Sequence, residues 1–245
     1  MKPISICVIG PNGRMGKQII AAVQSDARFA LAGTLSRASL ANDKQNISKS
    51  DLVIEFTRAE STGDWAKLCA EYKKPLVSGT TGLSDAQFTS LREVAKTIPI
   101  FHANNMSKGV FVAQQLVAQA SRLLGAGYAV EIIETHHAKK VDAPSGTALN
   151  LAKAAADARG LDKSKYIYGR EGQTGARPAD QIAIHALRGG DVIGEHHVHF
   201  LGSYERLEIT HRALNRELFA RGALDAAHWL LKQKPSLYGM ADLLA

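Results

Sequence analysis

Disulfides, membrane-length apolar runs and blocks of like charge are all missing from this chain of 245 residues. Its only cysteines, Cys7 and Cys69, lie inside apolar segments that read as a strand and a helix. That count and placement predict reduced core thiols and argue against a disulfide framework. Neither cysteine has a neighbouring base or a loop position, so neither reads as a nucleophile. No apolar stretch approaches the ~20 residues of a membrane span. Ile4 to Ile9 is too short and too poorly flanked for a signal peptide, which makes cytoplasmic the expected location and a membrane partner unexpected. Thirty Lys plus Arg exceed 23 Asp plus Glu, for a net charge of +7. No basic run reaches five residues and no aromatics interleave, so nucleic acid is not the expected partner. Phosphorylated cofactors and dicarboxylates account for the surplus equally well. Internal repeats and low-complexity linkers are absent as well.

What is present begins with alternation. Ile4 to Ile9 is a continuous apolar run, as a central parallel strand requires. Gly10 to Gly16 interrupts it, and Met15 to Val23 carries apolar residues at helical spacing. Strand-like and helix-like segments then alternate through Phe29–Leu35, Asp51–Phe56, Ser61–Tyr72, Pro75–Ser78, Asp85–Lys96 and Ile98–His102. This pitch predicts βαβ units and a parallel sheet with right-handed crossovers. The pattern changes at Lys108 to Leu124, a long helix with Val112, Leu116, Ala120 and Leu123 on one stripe. A strand Val130–Thr135 and a helix Thr147–Arg159 follow, the helix stopped by Gly160. Ile182–Ala186, Val192–Leu201 and Arg206–His211 read as a meander in an open sheet. Glu217–Lys232 returns to helical periodicity and could pack back onto the first domain. The expected fold is therefore α/β. A Rossmann-type parallel-sheet dinucleotide domain (1–107 and 217–245) is joined by a second α+β domain with an open mixed sheet (108–216).

Gly10-Pro11-Asn12-Gly13-Arg14-Met15-Gly16 follows a buried-strand pattern and opens a helix. Glycines there let the backbone turn sharply and approach a pyrophosphate, whose charge is stabilised by free N–H groups at the helix start. Asn12 stands where the commonest fingerprint has glycine. At the end of the second strand an acidic residue would bind the 2′-hydroxyl of NAD. Ser36 and Arg37 stand there instead, with no carboxylate nearby. A hydroxyl and a planar guanidinium suit a 2′-phosphate, so NADPH is expected to bind at least as well as NADH. Gly79-Thr80-Thr81-Gly82 forms a second loop at the carboxyl edge of the same sheet, where ligands of open α/β sheets bind.

The most informative run is Glu131-Ile-Ile-Glu-Thr-His136-His137-Ala-Lys139-Lys140-Val-Asp142-Ala-Pro-Ser-Gly146-Thr147. A strand delivers two histidines and two lysines into a loop that enters a helix at Gly146 and Thr147. The helix start can bind a carboxylate, Thr147 adds a hydroxyl, and a lysine or histidine can serve as acid. Together they describe a pocket for a small dianion with a proton donor in reach.

This run resembles the signature segment of the dihydrodipicolinate reductase family. The similarity continues in Gly10–Gly16, Glu55-Phe-Thr-Arg58, Gly79–Gly82, Asn105-Met-Ser, Arg188–His196 and Arg206–His211, and so spans nearly the whole chain. The resemblance implies NAD(P)H-dependent reduction of 4-hydroxy-tetrahydrodipicolinate, a cyclic dicarboxylate, to tetrahydrodipicolinate with loss of water, in the diaminopimelate route to lysine. By the same resemblance His136 and Lys140 are the proton donors, and His137, Gly146 and Thr147 hold a substrate carboxylate. Gly10, Pro11, Asn12, Gly13, Arg14 and Met15 form the dinucleotide loop, and Arg37 matches a position associated with NADPH. Gly79, Thr80 and Thr81 lie on the nicotinamide side, and Ala103, Asn104, Asn105 and Met106 form a further cofactor-contacting stretch. Ser36 stands where some members have a glutamate serving NADH, and Met106 where an aromatic is expected. The resemblance also implies a homotetramer.

Other readings are a different Rossmann-type oxidoreductase and a dinucleotide-sensing protein. His197 and His199 share a strand face while His196 points away. No carboxylate or cysteine completes a zinc set at typical spacing, so no metal is expected.

Overall fold

The computed structural model describes residues 2–245, the side chain of Asn42 apart, and divides the chain into two compact units. The first comprises residues up to Lys108 together with Arg216–Ala245, and the second Gly109–Asn215. In chain order the first unit begins β1 (Ile4–Ile9), α1 (Arg14–Ser25), β2 (Phe29–Leu35), α2 (Leu40–Asp43) and α3 (Gln45–Lys49). It continues with β3 (Leu52–Glu55), α4 (Ala59–Glu71), β4 (Leu76–Ser78), α5 (Asp85–Val94) and β5 (Pro99–His102). The second unit holds α6 (Lys108–Leu124), β6 (Ala129–His136), α7 (Gly146–Asp157), β7 (Tyr166–Tyr168), β8 (Ile182–Arg188), β9 (Glu195–Leu201) and β10 (Arg206–Arg212). The chain returns to the first unit with α8 (Glu217–Leu230), β11 (Ser236–Tyr238) and α9 (Met240–Leu243).

The first unit is a six-stranded, wholly parallel sheet in the order β11-β5-β4-β3-β1-β2. Its central strands are apolar on both faces, as sheets covered on both sides must be. Cys7 and Ile9 join Val53, Leu76 and Ile100 beneath Ile47, Trp65, Cys69 and Leu91 of α3, α4 and α5. Ile6 and Val8 alternate to the opposite face, where α1 and α8 pack. Burial pushes the Cys7 thiol up to about 12, and both cysteines are unpaired and buried. Gly222 lets α8 approach closely, since a Cβ there would fall 1.9 Å from the Met106 carbonyl oxygen. Strand β11, too short to show a period in sequence, extends the sheet beyond β5.

The second unit is a five-stranded mixed sheet, β10-β9-β6-β8-β7. Here the expected meander is corrected. β8 and β9 are consecutive in the chain but do not pair; β6 lies between them, parallel to β8 and antiparallel to β9. The reason is local. The link from β8 to β9 folds over the end of β6, where Gly189 N–H donates to His136 O, His137 N–H to Val192 O and Ala138 N–H to Gly190 O. A second correction concerns α6. Its buried stripe is Val110, Ala113, Val117 and Ser121, whereas Val112 (48 %), Leu116 (47 %) and Leu123 (75 %) are exposed. α6 meets α7 through Ser121, whose Oγ donates to Ala155 O at 2.8 Å, and sets Ala113 and Val117 into the core of the second unit.

Candidate active site

The glycine turn between β1 and α1 holds together by close backbone approach. Gly10 adopts φ +83°, and its N–H donates to Leu35 O at the end of β2 (2.9 Å). A Cβ on Gly16 would fall 2.1 Å from the Gly10 carbonyl oxygen, so only glycine lets the helix start beside the turn. Gly13 is the N-cap of α1 and supplies no side-chain cap. The first-turn N–H groups of α1 therefore lack a side-chain cap, which leaves them open to an anion. A cleft of about 650 Å³ runs beside this turn, lined by Gly10, Gly13, Ser36, Arg37, Phe56, Thr57 and Trp65. Turn, uncapped helix and adjoining cleft fit a dinucleotide pyrophosphate. Asn12, Gly13 and Arg14 are exposed, and Pro11 and Met15 half-buried. Arg37 is two-thirds exposed and pairs loosely with Asp64 (3.5 Å).

At the carboxyl ends of β3, β4 and β5 the structure reveals a group that sequence reasoning missed. Glu55 is fully buried, and its carboxylate accepts from four hydroxyls: Ser78 (2.5 Å), Thr80 (2.7 Å), Thr57 (2.8 Å) and Thr62 (3.0 Å). The Thr57 N–H donates to both Thr80 Oγ1 and Glu55 Oε2. His102 reaches Ser78 Oγ through Nδ1 and Asn104 Oδ1 through Nε2, each at 3.2 Å. One acceptor thus ties the loop after β4 to the ends of β3 and β5. Gly79 packs flat on the Phe56 ring, which a Cβ would enter at 2.1 Å. Of the residues expected at the nicotinamide side, Thr80 is turned inward to Glu55, Thr81 and Asn104 are exposed, and Ala103 and Met106 are buried. Asn105 Oδ1 accepts from the Ser107 N–H (2.9 Å).

In the second unit β6 carries Val130, Ile132, Glu134 and His136 on one buried face, because side chains alternate along a strand. Glu134 is fully buried. Its Oε1 accepts from Arg188 Nη2 (2.8 Å) and the Ser145 N–H (3.0 Å), and its Oε2 from Arg188 Nη1 (2.9 Å) and His136 Nδ1 (2.5 Å). Burial opposes the charge, yet these donors hold the carboxyl below its ordinary range. Burial lowers the His136 pKa; Glu134 pulls it back up, and Lys140 and Arg188 push it down. Next to it, the His196 ring meets that of His136 edge-on, centroids 5.3 Å apart, and is pushed down to about 3 by burial. Ser145 Oγ lies 3.1 Å from His196 Nε2 and caps α7 by accepting from the Ala148 N–H.

Gly146 and Thr147 are the first residues of α7, Gly146 exposed and Thr147 half-buried. The loop between β6 and α7 returns Lys140 to this region, with its ammonium on both oxygens of Asp142 (2.7 and 2.8 Å). Lys139 is exposed, and His137 is half-buried with Nδ1 unpartnered. The structure thus brings His136 and the start of α7 together through Glu134, which the sequence reading quoted in its run but gave no role. A carboxylate two residues before a histidine on a strand is the signal that would have found it. His197 and His199 share a face as expected, and pair with Glu195 (3.6 Å) and Glu208 (3.2 Å).

Comparison with known proteins places this arrangement. Residues 4–106 match the family described as dihydrodipicolinate reductase, N-terminus, and residues 109–244 its C-terminus. The 4-hydroxy-tetrahydrodipicolinate reductase of Syntrophotalea carbinolica is 40% identical over 98% of both chains. The one from Myxococcus xanthus is 49% identical over 80% of this chain and 73% of its own. Among solved structures, a dipicolinate-bound dihydrodipicolinate reductase from Paenisporosarcina sp. TG-14 shares the fold at a TM-score of 0.78 and 24% identity, covering 98% of this chain and 99% of its own. The chain belongs to the dihydrodipicolinate reductase family.

Proposed function

We propose that this protein reduces 4-hydroxy-tetrahydrodipicolinate to tetrahydrodipicolinate, with loss of water, using NADPH or NADH. Kinship to the reductases of Syntrophotalea and Myxococcus supports the reaction. The observation that carries the reading is the buried Glu134–His136 pair beside the Ser145-capped start of α7. It sets a titratable imidazole next to a ready-made carboxylate site, as reduction of a ring diacid requires.

Residues 1–107 and 217–245 bind the dinucleotide. Gly10 to Met15 present the uncapped N–H groups of α1 to its pyrophosphate. Ser36 and Arg37 receive an adenosine 2′-phosphate. Gly79, Thr80, Thr81 and the stretch Ala103 to Met106 flank the nicotinamide, the first group braced by Glu55. When bound, the reduced nicotinamide supplies a hydride to a ring carbon of the substrate. The remaining work falls to residues 108–216. His137, Gly146 and Thr147 hold a carboxylate of the substrate, and His136 or Lys140 delivers the proton that balances the hydride. Asp142 keeps the Lys140 ammonium in place before substrate arrives. The same residues, 108–216, assemble a homotetramer in the cytoplasm; light scattering at native pH is expected to give four times the chain mass.

The deciding assay follows NADPH absorbance after pyruvate, aspartate semialdehyde and the preceding synthase generate the unstable substrate in place. Oxidation that requires all three components is expected. Binding of NADPH without oxidation would defeat the proposal and favour a dinucleotide sensor.

A further inference from the structure

Glu134 is not among the groups the proposed function assigns to substrate or cofactor, yet its surroundings are those of a built device. Its two oxygens receive three fixed donors, two from Arg188 and one from the Ser145 backbone, and Oε2 lies 2.5 Å from His136 Nδ1. Arg188 is always charged and grips both oxygens, and the Ser145 N–H can only donate, so the group is an ionised, acceptor-only centre. Arg188 pairs directly with no other carboxylate among the described residues: its Nη atoms otherwise reach the carbonyls of Leu187 (2.7 Å) and Asp142 (2.6 Å). The proton in the Glu134–His136 contact therefore sits on His136 Nδ1. His136 Nε2 then points away from Glu134 and has no hydrogen-bond partner among the described residues. Gly194 backs this side of the ring, where a Cβ would lie 3.0 Å from Nε2. Through Oε1 the same carboxylate also pins the N-cap residue of α7.

We propose that Glu134 is the positioning residue of the active site: it locks His136 in the Nδ1–H tautomer, with Nε2 directed at substrate, and ties that imidazole to the carboxylate-binding start of α7. The proposal rests on the reductase reading for what Nε2 meets, but not for the tautomer. The charged and titratable groups facing His136 are Glu134 on its own strand, Arg188 on β8, His196 on β9, and Lys140 in the following loop. Glu134 alone among them is negative. Its removal takes away the charge that raises the His136 pKa and leaves those of Lys140 and Arg188, which lower it, so the His136 titration moves to lower pH.

Two measurements test this on the full-length protein. Long-range ¹H–¹⁵N spectra of ¹⁵N-histidine-labelled chain without ligand, with His136 assigned by its loss in His136→Gln, read the tautomer directly. At pH 8 a protonated Nδ1 and a bare Nε2 are expected; a protonated Nε2 overturns the proposal whatever the substrate proves to be. Kinetics then compare Glu134→Gln and Glu134→Asp with wild type. Glu134→Gln should lose at least about tenfold in kcat, raise the substrate KM, and shift the His136 limb of the kcat–pH profile to lower pH. Glu134→Asp, which keeps the charge on a shorter arm, should restore the limb. An unchanged tautomer and limb in Glu134→Gln, with lowered stability alone, would reduce Glu134 to a structural role and sink the idea. Should the Gln variant not fold, the wild-type spectrum and the Asp variant still decide. A lack of turnover with a correct tautomer would count against the reductase reading, leaving the positioning claim intact.

Discussion

Lys140 is held by two short contacts to Asp142, and its side chain is only one-fifth exposed. It is therefore preset rather than searching rotamer space, which is what a proton donor gains from a carboxylate neighbour. Replacing it by alanine removes the proposed donor without touching the glycine turn. Lys140→Ala is expected to lower kcat by about a hundred- to ten-thousand-fold, while NADPH affinity, read by fluorescence titration, stays at the wild-type value. Loss of both together would indicate misfolding. In the first unit Arg37 is shared with Asp64, a surface pair at 3.5 Å. Exposed pairs of this kind contribute up to about 1 kcal/mol, or roughly fivefold in affinity. A 2′-phosphate has to compete with Asp64, so Asp64→Asn should lower the KM for NADPH by up to that factor and leave the KM for NADH unchanged. An equal effect on both cofactors would remove Arg37 from the 2′-phosphate site.

Among the elements, α8 matters most beyond its own length. It joins the first unit after the chain has built the whole second unit, and packs on α1, β3, β4 and β5. Its helical stripe, with Leu224 and Leu230 buried, is plain in sequence. Gly222 is where it touches the proposed cofactor stretch, because the Met106 carbonyl presses against the missing side chain. Gly222→Ala should cost about 1–3 kcal/mol by overpacking, seen as a lower urea midpoint. It should also weaken NADPH binding by displacing the stretch Ala103 to Met106. Unchanged binding would detach that stretch from the cofactor. The short β7, β11, α2 and α3 escaped the sequence reading because three to five residues carry no resolvable period.

For the molecule as a whole, buried histidines set the dependence of stability on pH. Burial lowers the pKa of His102, His136, His196 and His211 from the ordinary value of 6.5, that of His196 to about 3. The unfolded chain then binds more protons than the folded one wherever pH is below about 6.5, so stability falls as pH falls. For His196 the loss continues down to about pH 3, at roughly 1.4 kcal/mol per pH unit. Urea unfolding at pH 7.5 and 5.5 should show a loss on the order of 1–2 kcal/mol from His196 alone. The carboxyls of Asp26 and Glu131, lowered to about 2, stay charged across this window. His196→Gln should shrink the loss; equal stability at the two pH values would show that the buried imidazoles accept protons without cost.

What the amino-acid sequence determined by itself is whatever depends on neighbours along the chain. The period of two in β6, the helical stripe of α8 and the glycine turn from Gly10 to Gly16 follow from local sterics, and so were legible. His136, Lys140, Gly146 and Thr147 could be singled out because they fall in one short run. Tertiary structure alone decided the partners. Glu134 meets Arg188 across 54 positions and Glu55 meets Ser78 across 23, through contacts set by strand register. Only folding showed that β6 separates β8 from β9, and that α6 turns its small residues inward. A buried carboxylate must be satisfied by whatever donors the register delivers. Those donors come from strands and loops that the linear chain holds far apart.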